Sequence, residues 1–221
     1  MNRRQLLGGA GSLSLLALSG CTTTTPEQVL EPQPVPRIPG TYTTMYGPMP
    51  GERFPIPAVN LNRVPEKFWR RQVDYSGLHA VGTLIVDTQT FYLHLVQEGG
   101  KAMRYGVGLG RAGFSWSGRG VILWKQAWPK WTPPEEMIAR EPDLEKWSAR
   151  NGGMPPGLDN PLGARALYIF QDGEDTLYRI HGSPEYWTIG RAVSSGCVRL
   201  MNQDIIDLYS RVPSGSSLVV V

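Results

Sequence analysis

His181 and Cys197 are the residues whose types and spacing invite chemistry. Ile180-His181-Gly182 closes an apolar run that reads as a strand, and sixteen residues after His181 stands Cys197, within Ser194-Ser195-Gly196-Cys197-Val198-Arg199-Leu200. Nucleophilic acyl transfer uses such groups. A free thiol with a pKa near 8.5 is only a few per cent thiolate at neutral pH, and a neighbouring imidazole can take its proton and hold the thiolate as an ion pair. Gly196 leaves the backbone open, so amide N–H groups there can point at a developing oxyanion. Arg199 lies two residues on, on the same side of an extended strand as Cys197, where a guanidinium can hold a substrate carboxylate. A small buried core cysteine and a satisfied strand histidine fit the same spacing. Other cysteine chemistries fit less well. The sequence has no Cys-Gly-Ser-Cys-Trp or Gln-Ala-Cys-x-Gly run, a phosphatase loop needs Arg where Gln203 stands, and His79, His94 and His181 lack the close pairing of a metal site.

Around this pair the sequence reads as mainly β. Val81–Asp87 and the alternating Thr90–Gln97 form a predicted hairpin, with Phe91, Leu93 and Leu95 on one face. Gly99-Gly100 turns the chain into Met103–Leu109. Further strands are predicted at Gly118–Trp128, Ala166–Phe170, Thr176–His181 and Ser217–Val221. Thr132-Pro133-Pro134-Glu135 reads as a capping box for a helix that ends near Arg140, before Pro142. Asn202 is placed to cap a helix over Gln203–Arg211, whose Ile205, Ile206, Leu208 and Tyr209 make an apolar stripe. The excursion from Trp128 to Gly163 is expected as a helical lid over the site. Trp116, Trp124, Trp128, Trp131 and Trp187 can line a sugar or peptide groove, with core filling the simpler expectation for Trp124 and Trp128.

The ends of the chain give its setting. Arg3-Arg4 followed by a short uncharged run reads as an export signal, too short and too rich in Gly and Ser to span a bilayer. Leu18-Ser19-Gly20-Cys21 is similar to a bacterial lipobox, in which Cys21 takes the lipid. The expectation is a protein anchored by lipid and facing the periplasm, with Thr22 favouring the outer membrane. Nine prolines between Pro26 and Pro57 suggest an extended tether, so the chain divides into a signal (1–21), a tether (22–73) and one folded domain (74–221). With Cys21 consumed, Cys197 is a lone thiol in an oxidising compartment, which must be buried or used. Without Arg3 and Arg4, 20 basic residues face 19 acidic ones. That balance gives no electrostatic footprint for nucleic acid.

His181-Gly182 followed by Ser194-x-Gly196-Cys197-Val198-Arg199 resembles the signature of the L,D-transpeptidase catalytic domain, the YkuD family. Trp187-Thr188-Ile189-Gly190-Arg191-Ala192 and Asn160-Pro161-Leu162-Gly163 add to the likeness, which runs from Val81 to Val221. The resemblance implies a single β-rich, sandwich-like domain with one short helix, and an enzyme of the peptidoglycan wall that needs no cofactor or metal. Cys197 would attack the carbonyl of an L-centre joined to a terminal D-alanine in a tetrapeptide stem. His181 would serve as base, with its other ring nitrogen held by a backbone carbonyl such as that of Gly182. Amides at Gly196 and Cys197 would stabilise the oxyanion, and Arg199, Arg191 and Trp187 would bind substrate. The family usually carries His immediately before Gly-Cys, and this chain has Ser195, which keeps one hydrogen-bond donor for orienting the site. The acyl acceptor would be a second stem peptide, a lipoprotein lysine or a free D-amino acid. Water in that role would make a hydrolase, and a decayed site would leave a non-catalytic, tethered wall-binding protein.

Overall fold

The computed structural model describes residues 38–110, 117–194 and 196–221, with Ser194 described by its backbone alone. The expectations for Arg3, Arg4, Cys21, Trp116 and Ser195 lie outside the described residues. The strands are β1 (Arg71–Asp74), β2 (Leu84–Asp87), β3 (Tyr92–Gln97), β4 (Lys101–Gly106), β5 (Leu109–Gly110), β6 (Gly118–Ala127), β7 (Arg165–Gln171), β8 (Glu174–Ser183), β9 (Ala192–Ser194), β10 (Val198–Met201) and β11 (Ser216–Val220). The helices are α1 (Gly40–Met45), α2 (Glu135–Arg140) and α3 (Asn202–Arg211). The fold is mainly β, as the sequence predicts.

Nine strands form one mixed sheet in the order β1-β4-β3-β2-β11-β6-β7-β8-β10, and β5 pairs with β9 in a small second sheet. Leu84, Leu93 and Tyr105 from one half of the large sheet share a single buried cluster with Ile180, Val198 and Leu200 from the other half. The sheet therefore curls so that one face of both halves encloses one core. Helix α3 plugs that core with Ile205 and Leu208, both fully buried. Its apolar stripe forms as the periodicity predicts, but Asn202 is not its cap. The helix begins at Asn202 after Met201 with no side-chain cap. Asn202 Oδ1 instead accepts from the Ala164 N–H at 2.9 Å, fastening the start of β7 to the start of α3. The capping box at Thr132 is likewise not formed, because Pro134 holds the position before α2 and no side chain caps it.

From Ile38 onward the proline-rich stretch is folded rather than extended. Tyr46, Leu61, Val64, Phe68 and Trp69 are buried with Ile189 and Met201. Phe68 is a wedge: a Cβ added at Gly106 or at Gly190 would fall within 2.5 Å of it, so both glycines are needed for its close approach. Tyr46 also enters a buried polar knot. Its hydroxyl donates to Asp204 Oδ2 at 3.2 Å and accepts from the Arg70 N–H at 2.5 Å. Arg70 Nη1 lies 3.2 Å from Asp207 Oδ2 and 3.6 Å from Asp204 Oδ1, the latter too long for a hydrogen bond. Burial pushes the Asp204 carboxyl up to about 7, against the pull of Arg70.

Two outcomes follow. Phe68→Ala is expected to lower the unfolding free energy by about 3 kcal/mol in urea, the usual cost of emptying a buried phenylalanine site; a change within error would mean the wedge is not part of the folded unit. The second concerns pH. Asp204 carries a folded pKa above its unfolded value of 3.8, so its stabilising contribution is complete below pH 4 and falls as pH rises towards 7. Asp204→Asn, fixed in the neutral state, is expected to flatten that part of the stability–pH curve, and an unaltered slope would remove Asp204 as its source.

Candidate active site

The candidate site is built by the parallel pairing of β8 with β10, which sets Ile180 opposite Val198 and His181 opposite Arg199. Side chains alternate along each strand. Ile180 and Val198 face the enclosed core, so His181 and Arg199 share the other face. One residue ahead of that register, Cys197 lies beside Arg179, whose backbone N–H bonds its sulfur. Cys197 and His181 are thus diagonal neighbours, one strand spacing of about 4.8 Å apart and two residues, about 6.6 Å, along the strands.

His181 is buried, at 5% exposure, and its Nδ1 lies 2.6 Å from the Gly182 carbonyl oxygen. A carbonyl only accepts, so Nδ1 carries the proton and Nε2 keeps the lone pair that a base requires. Gly182 itself admits no side chain, since a Cβ would meet Asn202 Oδ1 at 2.3 Å. The Asn160-Pro161-Leu162-Gly163 run braces the same ring. Asn160 Nδ2 donates to the carbonyls of Pro129 and Pro155 at 3.1 and 3.0 Å, and its Oδ1 accepts from the Leu162 N–H at 2.9 Å. That fixes the Pro161 carbonyl, which with that of Gly182 favours the protonated ring. Burial outweighs both, and the charges of Arg199 and Arg179 add to it, bringing the His181 pKa down to about 4.

Cys197 is half-buried, and burial pushes its thiol up. The Arg179 amide hydrogen bond and the charges of Arg179 and Arg199 pull the other way without cancelling it. Both shifts work against a resting thiolate–imidazolium pair, because neither charge is well solvated there. Gly196, at φ 137°, takes a backbone conformation that side chains avoid, and a Cβ there would press on the Tyr178 ring at 2.9 Å.

Arg199 is the most distinctive group in the site. It is 5% exposed, its Nε and Nη2 are buried without a hydrogen-bond partner among the described residues, and its Nη1 lies 3.8 Å from Glu185 Oε2. Its backbone is clamped to Gly108 by reciprocal bonds of 2.8 and 2.9 Å, and a Cβ on Gly108 would come within 3.0 Å of its Nη2. Arg191 is exposed and its carbonyl accepts from the Leu109 N–H. Trp187 is half-buried and stacked under the Arg63 guanidinium at 4.2 Å. The structure brings His181, Gly182, Gly196, Cys197 and Arg199 together, while Arg191 and Trp187 lie on the segment linking β8 to β10. Sequence reasoning missed Arg179 and Asn160 as site-forming residues; the period of two back from His181 is the signal that could have found Arg179.

A profile of the L,D-transpeptidase catalytic domain, YkuD, matches residues 81–221. The chain belongs to this family. It is 38% identical over 114 residues to the probable L,D-transpeptidase YbiS of Escherichia coli, an overlap of 50% of this chain and 34% of that protein. It is 37% identical over 100 residues to a putative L,D-transpeptidase of Fuscovulum blasticum, covering 45% and 47%. The chain thus spans between a third and a half of the length of these relatives. A solved structure from Brucella melitensis, described as a probable carnitine operon oxidoreductase caia, is 40% identical with a TM-score of 0.50, covering 73% of this chain and 99% of that one.

The geometry of the site makes a direct prediction about its thiol. Alkylation of Cys197 by iodoacetamide is expected to accelerate steadily with pH to beyond 9, with no plateau at neutrality. An inflection between pH 5 and 7 would mean that a thiolate–imidazolium pair exists at rest.

Proposed function

We propose that the protein is a cysteine-dependent L,D-transpeptidase acting on peptidoglycan stem peptides. The observation that carries this reading is the β8–β10 register, which sets a thiol diagonally from an imidazole whose proton is pinned to Nδ1, beside a buried guanidinium with two nitrogens unpartnered among the described residues. A substrate carboxylate would pair with those nitrogens, since a charge-assisted bond in low dielectric is strong.

The chemistry then runs in two halves. As Cys197 Sγ bonds to the carbonyl carbon of the L-centre, its proton passes to His181 Nε2 and negative charge moves to the carbonyl oxygen. Main-chain N–H groups at Gly196 and Cys197 would hold that charge. The C–N bond to the terminal D-alanine breaks, and the departing amine takes the proton from His181, leaving a thioester. An acceptor amine then attacks the thioester, gives its proton to His181 and forms the new amide, and Sγ takes the proton back. Because a resting ion pair is disfavoured, His181 acts as a general base at the moment of attack. A stem peptide amine, a lipoprotein lysine or a free D-amino acid fits the acceptor role. Hydrolysis by water at the same site is the alternative outcome, and a non-catalytic wall-binding protein is the other. The lipobox at Cys21 supports a lipid-anchored protein in the periplasm, on the outer membrane by the residue that follows.

Incubation with a disaccharide-tetrapeptide followed by mass spectrometry tests the reading. Crosslinked dimers are expected; shortened monomers would indicate a hydrolase and unchanged substrate a binding protein. Cys197→Ala and His181→Ala are each expected to abolish turnover without unfolding the domain. Arg199→Ala is expected to lower kcat/KM by about ten- to a hundredfold, the worth of one charged hydrogen bond, and an unchanged value would remove it from substrate binding.

A further inference from the structure

Trp124 is expected from sequence to fill the core, and the structure turns it outward. It is 52% exposed. The cause is a β-bulge in β6: Ile122 pairs with Ile169, yet Trp124 pairs with Tyr168, so Leu123 is an extra residue. Regular alternation from the buried Ile122 would aim residue 124 back into the core; the bulge reverses that, as bulges beside active sites commonly do. Tyr168 in turn stands opposite Arg179, whose backbone N–H bonds Cys197. Trp124, Tyr168 and Arg179 are therefore one cross-strand row on the outer face of β6, β7 and β8, and it leads to Cys197 just ahead of β10.

The row is a continuous stack. The Trp124 and Tyr168 rings lie 4.3 Å apart with 31° between their planes, and the Arg179 guanidinium covers the Tyr168 ring at 4.2 Å. Arg179 is locked in place by two bonds to Asp175, at 2.6 and 2.7 Å. The Tyr168 ring is closed off by its two neighbours, and the free indole of Trp124 is the open end.

We propose that Trp124, backed by Tyr168 and Arg179, is a saccharide platform that seats the sugar bearing the stem peptide whose carbonyl Cys197 attacks. The proposal deepens the stem-peptide reading above and rests on it. A pyranose ring presents a face of C–H bonds with partial positive charge, which suits the negative face of an indole. Asp175 keeps an acceptor site on Oδ2 for a ring hydroxyl, since Arg179 and the Leu177 N–H take the other three of its four. Length agrees as well. Trp124 is three strand spacings from Cys197, about 14 Å. Three extended residues, from the attacked carbonyl back to the start of the stem, span about 10 Å, and the lactyl link to the sugar supplies the remainder. A peptide occupant has no comparable reason to end on an aromatic face at that distance.

The test uses the full chain carrying Cys197→Ala, so that substrate binds without turning over, with calorimetric titration of two ligands: the disaccharide-tetrapeptide and the free tetrapeptide. The sugar-bearing ligand is expected to bind about tenfold more tightly, the scale of one good stacking contact. Adding Trp124→Ala is expected to bring the two within twofold of each other while leaving the free tetrapeptide unchanged, and Trp124→Phe to keep most of the preference. Equal affinities in the parent, or a preference that survives Trp124→Ala, overturn the platform and leave the stem-peptide reading standing. A loss shared equally by both ligands places the peptide on Trp124 and overturns the sugar assignment. Failure of either ligand to bind the parent overturns the stem-peptide reading itself, and the platform with it.

Discussion

The parallel register of β8 and β10 is the constraint from which the site follows. Two neighbouring strands running the same way cannot be joined by a tight turn, so the chain between Ser183 and Val198 must cross over. That crossover carries the Tyr186–Thr188 turn, strand β9 and Gly196, and it returns the chain with Cys197 beside Arg179. A one-residue slip would send the thiol and Arg199 to the core face and bring Val198 outward. Burial of Val198, Leu200 and Ile180 in the main cluster guards against that slip. Core packing thus fixes the chemistry.

The folded segment ahead of β1 acts on the same crossover. Phe68 rests against Gly106 and Gly190, and Arg63 lies over Trp187. The Gly190 N–H donates to the Val107 carbonyl at 2.9 Å, and the next residues lead into β9. Residues Arg63 to Trp69 therefore hold the crossover down on strand β4 and its continuation. A segment that composition describes as a tether is a structural wall of the site, because its few aromatic residues find a groove made by glycines.

Much of this was legible in the sequence. The common face of Cys197 and Arg199 follows from strand alternation, whereas the pairing of His181 with Cys197 and the Gly182 carbonyl on the imidazole come from the family resemblance, spacing alone fitting a core cysteine as well. What was not legible depended on distant partners. Asn202 has the composition of a helix cap but is claimed by the Ala164 amide, thirty-eight residues away. The packing of Tyr46 and Phe68 needs glycines and carboxylates far along the chain. The bulge at Leu123 leaves no mark in its own residue types, so alternation alone sends Trp124 to the wrong face.

The protonation states follow from the same burial. A thiolate facing an imidazolium is favoured where water or donors support both charges; in this site two arginines already supply positive charge, and a third cation on His181 is disfavoured by them as well as by desolvation. Among the described residues two buried nitrogens of Arg199 are unpartnered, a costly state for a charged group. On the proposed reading, a substrate carboxylate docking at Arg199 lowers the net positive charge around His181. Its imidazole then accepts the thiol proton more readily than in the empty site. On that reading binding and activation are one electrostatic event.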